Sequence, residues 1–106
     1  MTIDGLSAEV MAMLNRVFIQ YPEIEWVKLY GSRAKGNFHD RSDIDLAAYG
    51  RHLNRAVIAD ILLALDETDI PYQMDLQNYA ELKNHALIEH IDRRGIVIYR
   101  RSDNAA

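Results

Sequence analysis

The chain has 106 residues, 49% of them hydrophobic and 26% charged, with a formal net charge of −4 and a pI near 5.5. That length suits one domain with a modest core, and the lack of cysteine excludes disulfides and thiolate metal sites, as suits a reducing cytoplasm. The acidity disfavours generic nucleic-acid binding, whose affinity comes mainly from Lys and Arg, although Arg51, Arg55, Arg93, Arg94, Arg100 and Arg101 leave room for a local basic patch.

The first residues carry neither a basic segment nor a continuous apolar run, so no signal peptide is expected. The longest apolar stretch, residues 61–65, is far below the ~20 residues of a membrane span. The expectation is a soluble, cytoplasmic, single-domain protein over residues 1–106, with a frayed tail from about 101 to 106.

Residues 7–21 predict a helix, because Val10, Met13, Leu14, Val17, Phe18 and Tyr21 recur on one face of a 3.6-residue period. Ser7 is its candidate N-cap, and Pro22 punctuates its end. Residues 25–30 (EWVKLY) read as a strand closed by Gly31, residues 32–35 as a helical turn, and 37–42 as a polar loop. A second strand follows over 43–49 (DIDLAAY). Residues 52–68 predict the clearest helix, with Leu53, Val57, Ile58, Ile61, Leu62 and Leu65 as its buried stripe. A turn at Ile70-Pro71 leads to a third strand over 72–77 (YQMDLQ). The last helix is capped either by Asn78, with Glu81 three residues on, or by Asn84. It carries Leu87, Ile88 and Ile91 on one side, with Leu82 off the stripe. Gly95 ends it, and 96–99 make a final strand. This alternation predicts an α/β (α+β) domain, a small sheet with helices packed on it.

The chemistry concentrates in LYGSRAKGNFHDRSDIDL, residues 29–46, where Gly31-Ser32 is followed by ten residues and then Asp43-Ile44-Asp45. On a strand Asp43 and Asp45 point the same way, their Cα atoms about 6–7 Å apart. Two carboxylates so placed suit a pair of Mg²⁺ ions ~3.5–4 Å apart, the arrangement that supports in-line phosphoryl displacement. Side by side, they call for a cation between them. Gly31 lets a phosphate approach the backbone, and exposed N–H groups at the start of a helix favour an anion. The Ser32 hydroxyl adds a hydrogen bond, and Arg33 and Lys35 add positive charge suited to a triphosphate. Asp75, on the third strand, is placed to complete a metal site or to take the proton from an attacking hydroxyl if that strand neighbours the second.

This segment resembles the signature of the polymerase beta-like nucleotidyltransferase superfamily, Gly-Ser, ten residues, then Asp-x-Asp. More narrowly it resembles the minimal nucleotidyltransferases (MNT) that act as antitoxins to HEPN toxins. Gly31, Ser32, Arg33, Ala34, Gly36, Ser42, Asp43, Ile44, Asp45 and Leu46 carry the likeness, supported by the Asp75 strand and by Gly95 to Tyr99. The resemblance implies a mixed sheet with its helices on one side. It implies Asp43, Asp45 and Asp75 as the acidic set and metal ligands, Mg²⁺ as cofactor and ATP as donor. It also implies a HEPN toxin ribonuclease as partner, modified by an adenylyl group on a tyrosine.

A donor site and one sheet use nearly the whole chain, so a second protein is expected to be the acceptor or to supply its binding site. Leu82, the exposed face of the 52–68 helix and the tail after Tyr99 are candidate contacts. Two other readings share these residues: transfer to a small molecule in a pocket completed by a partner, and an antitoxin that neutralises its partner by binding alone.

Overall fold

The computed structural model describes residues 6–35 and 43–101; the predicted loop at 37–42 and the side chains of Ser32 and Lys35 lie outside the described residues. The elements are α1 (Ala8–Phe18), β1 (Trp26–Tyr30), α2 (Ser32–Lys35), β2 (Ile44–Tyr49), α3 (Arg55–Asp66), β3 (Met74–Asn78), a 3₁₀ turn (Tyr79–Glu81), α4 (His85–Arg94) and β4 (Ile96–Arg100). Each predicted helix and strand is present, with shifted ends.

The ends follow from capping. Ser7 starts α1, its hydroxyl accepting a hydrogen bond from the Val10 N–H at 3.2 Å. α3 begins later than the apolar stripe suggests because Asn54 is extended and accepts from the Val57 N–H at 3.0 Å. Leu53 is left ahead of the helix, yet still buried. Both candidate caps of the last helix are used. Asn78 caps the 3₁₀ turn, and Asn84 caps α4 by accepting from the Leu87 N–H at 3.1 Å.

The strands form one four-stranded sheet in the order β3-β2-β1-β4. β1 is antiparallel to β2 and β4, whereas β2 and β3 run parallel, joined through the α3 crossover. The sheet is therefore mixed. Its first face carries Val27, Leu29, Ile44, Leu46, Leu76 and Ile98, which pack with Leu14 and Phe18 of α1 and Ile61 and Leu65 of α3. A register shift interrupts the β1–β4 pairing, and the Asn15 carboxamide donates to the Ile98 carbonyl there at 3.2 Å.

Alternation sends Lys28, Tyr30, Asp45, Ala47, Asp75 and Gln77 to the second face. Here the structure departs from the one-sided arrangement implied by the resemblance. Ile91 of α4 buries itself against Tyr30 and Ala47, with Tyr79, Leu82 and Leu87 packed around them. Apolar residues on both α4 and this part of the sheet draw the helix there. Leu82 is thus half-buried within this cluster.

Arg101, expected to open a frayed tail, is held in place. Arg101 donates from its backbone N–H to the Glu25 carbonyl at 2.8 Å and from its guanidinium to the Pro22 carbonyl at 2.6 Å. Residues 102–106 lie outside the described residues. Among the described residues no helix is long and apolar enough to cross a membrane.

At Gly50, just after β2, a Cβ would overlap the Glu23 carbonyl. Gly50→Ala must therefore move backbone, and is expected to cost about 2 kcal/mol or more of stability. Thermal unfolding checks this; an unchanged melting temperature would show that the turn relaxes freely.

Candidate active site

β1 ends at Tyr30, and the chain turns at Gly31 with φ 78°, a left-handed conformation that favours glycine. The position makes a second demand: a Cβ on Gly31 would overlap the Asp45 carboxylate. The backbone turn and the carboxylate therefore lie against one another with no room for a side chain between them. The Gly31 N–H donates to Nε2 of His90, on α4, at 3.2 Å.

Three second-face residues line up across the sheet. Tyr30 pairs with Asp45 in the β1–β2 register, and Asp45 pairs with Asp75 in the β2–β3 register. Asp45 is half-buried, whereas Asp75 and Asp43 are exposed. Desolvation, followed by the charges of Asp75 and Asp43, raises the Asp45 pKa above the usual carboxylate value. The Tyr30 phenol is pushed up to about 12 by burial and then by Asp75 and Asp45, so it stays neutral beside them at physiological pH. Asp75 accepts a hydrogen bond from the Gln77 carboxamide at 2.9 Å.

The remaining expected site residues are less uniform. Ser32 follows Gly31 at the start of α2, and Lys35 closes that helix. Arg33 is 4% exposed, its guanidinium 4.2 Å from the centre of the Tyr72 ring. Tyr72 belongs to the core packing of the first face, so the charge of Arg33 is carried toward the segment that enters β3. Among the described residues no three His, Cys, Asp or Glu side chains gather closely enough to hold a metal ion. The sheet does bring Asp45 and Asp75 together, with Asp43 near enough to perturb Asp45. Hard oxygen donors under mutual repulsion are chemically suited to a divalent cation.

Sequence reading missed His90, Tyr30 and Gln77. His90 lies 59 residues from Gly31, beyond any local pattern. The strand alternation that places Asp45 also places Tyr30 and Gln77, and that signal was available in the sequence.

Among the described residues, two of the cavities flank the sheet. One of about 790 Å³, lined by Leu62, Leu63, Ile70 and Tyr72, lies between α3 and the approach to β3 and includes none of the three aspartates. The other, about 450 Å³, is lined by Arg55, Gln77, Asn78, Leu82 and Lys83, and adjoins the carboxylates through the Gln77–Asp75 bond.

The sequence profile described as "Polymerase beta, Nucleotidyltransferase" matches residues 13–104. The chain belongs to this nucleotidyltransferase family. No curated protein sequence matches it significantly. Among solved structures, this nucleotidyltransferase resembles a toxin–antitoxin complex with AMP-PNP, at TM-score 0.71 and 18% identity over 89% of this chain and 76% of the other. It also resembles an MntA–HpeT toxin–antitoxin complex bearing two Asp-to-Glu substitutions, at TM-score 0.67 and 17% identity over 93% and 77% of the two chains. A third is a tri-AMPylated HEPN toxin of Shewanella oneidensis in complex with its MNT antitoxin, at TM-score 0.53 and 16% identity over 90% and 76%. At identities this low the structural likeness shows a shared fold alone.

The raised pKa of Asp45 has a consequence for stability. A carboxyl with a higher pKa folded than unfolded binds more protons in the folded state, so stability falls as pH rises through that interval. Asp45→Asn removes this loss. With EDTA at neutral pH the variant is expected to melt above the wild type, and the difference should vanish below pH ~4, where the unfolded carboxyl is protonated too. Equal melting temperatures at neutral pH would show that Asp45 bears no such strain.

Proposed function

We propose that this chain is a Mg²⁺-dependent protein adenylyltransferase, the antitoxin of a HEPN–MNT pair, which transfers AMP from ATP to a tyrosine of a HEPN toxin ribonuclease. The observation that carries this reading is the in-register pairing of Asp45 with Asp75 beside the Gly31 turn, in a member of the nucleotidyltransferase family. AMP-PNP in one structural relative and an AMPylated toxin in another support the choice of donor and acceptor.

In this reading the Gly31 turn and Ser32 hold the donor's phosphates, with Arg33 and Lys35 contributing positive charge. Asp43, Asp45 and Asp75 would hold Mg²⁺, which when bound supplies neutralisation of the charge that builds up on the phosphoryl oxygens. The acceptor's phenolic oxygen forms a bond to the α-phosphorus, the bond from that phosphorus to the oxygen bridging the β-phosphorus breaks, and pyrophosphate leaves. A tyrosine hydroxyl has a reference pKa near 10, so attack at neutral pH needs help with its proton. Asp75, exposed at the sheet's edge strand, is the group that accepts it. Tyr30 is buried and is not the acceptor. The cavity beside Gln77 and Leu82 is where the partner's segment would enter.

Incubation with its neighbour, the HEPN toxin proposed to be encoded by the adjacent gene, together with ATP and Mg²⁺ is expected to add about 329 Da, or a multiple, to that neighbour, one adenylyl unit per transfer. Its ribonuclease activity should fall in step. Asp43→Asn/Asp45→Asn should stay folded, transfer nothing and leave the ribonuclease active. Full neutralisation by the double mutant, or without ATP, would establish binding alone as the mechanism. Nucleotide transfer to a small molecule but not to the neighbour would establish the other enzyme reading.

A further inference from the structure

We infer that His90 is a positioning residue that holds the Gly31 turn in its working geometry. The inference rests on the proposed role of that turn in binding the nucleotide donor. Nε2 of His90 accepts the Gly31 N–H at 3.2 Å. This bond orients the peptide plane that joins Tyr30 to Gly31, and both residues border Asp45. Tyr30 is its register partner across the sheet, and Gly31 is the residue whose Cβ would overlap its carboxylate. One side chain from α4 therefore fixes two of the groups that confine a central carboxylate.

The imidazole is itself well held. Its ring meets Tyr30 edge-on, with centroids 6.1 Å apart and planes at 77°. The next residue, Ile91, is fully buried in the second-face cluster. One position further, the Asp92 carboxylate accepts from the Tyr79 hydroxyl at 2.6 Å. Packing on one side and a hydrogen bond on the other fix the rotation of α4, and hence the aim of His90. To accept at Nε2 the neutral ring carries its proton on Nδ1. A side chain without an acceptor would leave the Gly31 N–H to water and the turn free to shift, whereas a glutamine oxygen could replace the ring nitrogen.

The test compares wild type, His90→Leu and His90→Gln in the full chain. Transfer from ATP to the HEPN partner is followed by mass spectrometry, and exchange of the Gly31 amide by NMR. His90→Leu is expected to raise the apparent KM for ATP and to speed Gly31 exchange, each about tenfold, the effect of one hydrogen bond. His90→Gln should stay within about threefold of wild type in both, because an acceptor remains. Wild-type KM and exchange in the leucine variant, or a glutamine variant as impaired as the leucine one, would overturn the assignment. If wild type neither binds nor transfers a nucleotide, the proposed function fails, and Gly31 exchange still decides whether His90 holds the turn.

Discussion

The pairing of β2 with β3 sets Asp45 directly beside Asp75, and two like charges so placed repel. Their arrangement is enforced from the other side of the sheet. Ile44, Leu46 and Leu76 alternate with the carboxylates and are buried beneath α1 and α3. A slip of one residue in either strand would exchange its faces, carrying an aspartate into the apolar core. Hydrophobic burial on one face thus fixes an electrostatically unfavourable constellation on the other. Desolvation, and after it the charges of Asp75 and Asp43, raises the pKa of Asp45, and a bound cation would offset that.

The second face is divided. Toward Trp26 and Tyr49 it is closed by aromatic packing, with those rings stacked 5.4 Å apart and Tyr79 edge-on to Trp26 at 5.2 Å. α4 continues that cover over Ala47 by means of Ile91. The cover gives way at the carboxylates, where Asp45 is half-buried and Asp75 exposed. Asp75 lies on β3, an edge strand, so the polar part of this face borders the rim of the sheet. The site is walled on one side by the Gly31 turn and left accessible on the other, an arrangement that suits the proposed transfer to a macromolecular acceptor.

Much of this was legible in the sequence because it depends on local periodicity. The stripe from Val10 to Phe18 defines α1, and the alternation in DIDLAAY places Asp45 opposite the core. The two candidate caps, Asn78 and Asn84, were ambiguous in the sequence because each is a sound cap; the structure uses both. The side of the sheet taken by α4 was not legible. Its apolar set is short, and its place depends on meeting Tyr30 and Ala47, distant in the chain. The same non-locality hides the bond between His90 and Gly31. Arg33 shows the converse limit: its charge is evident in the sequence, but its stacking on Tyr72 depends on the approach to β3.

If the paired carboxylates form the proposed nucleotide–metal site, titration calorimetry of a non-hydrolysable ATP analogue into the full chain will detect it. Binding is expected with Mg²⁺, should be lost in EDTA, and should be lost with Mg²⁺ in an Asp45→Asn/Asp75→Asn variant that remains folded by circular dichroism. Equal affinity in EDTA, or undiminished Mg²⁺-dependent binding by the folded variant, would contradict it.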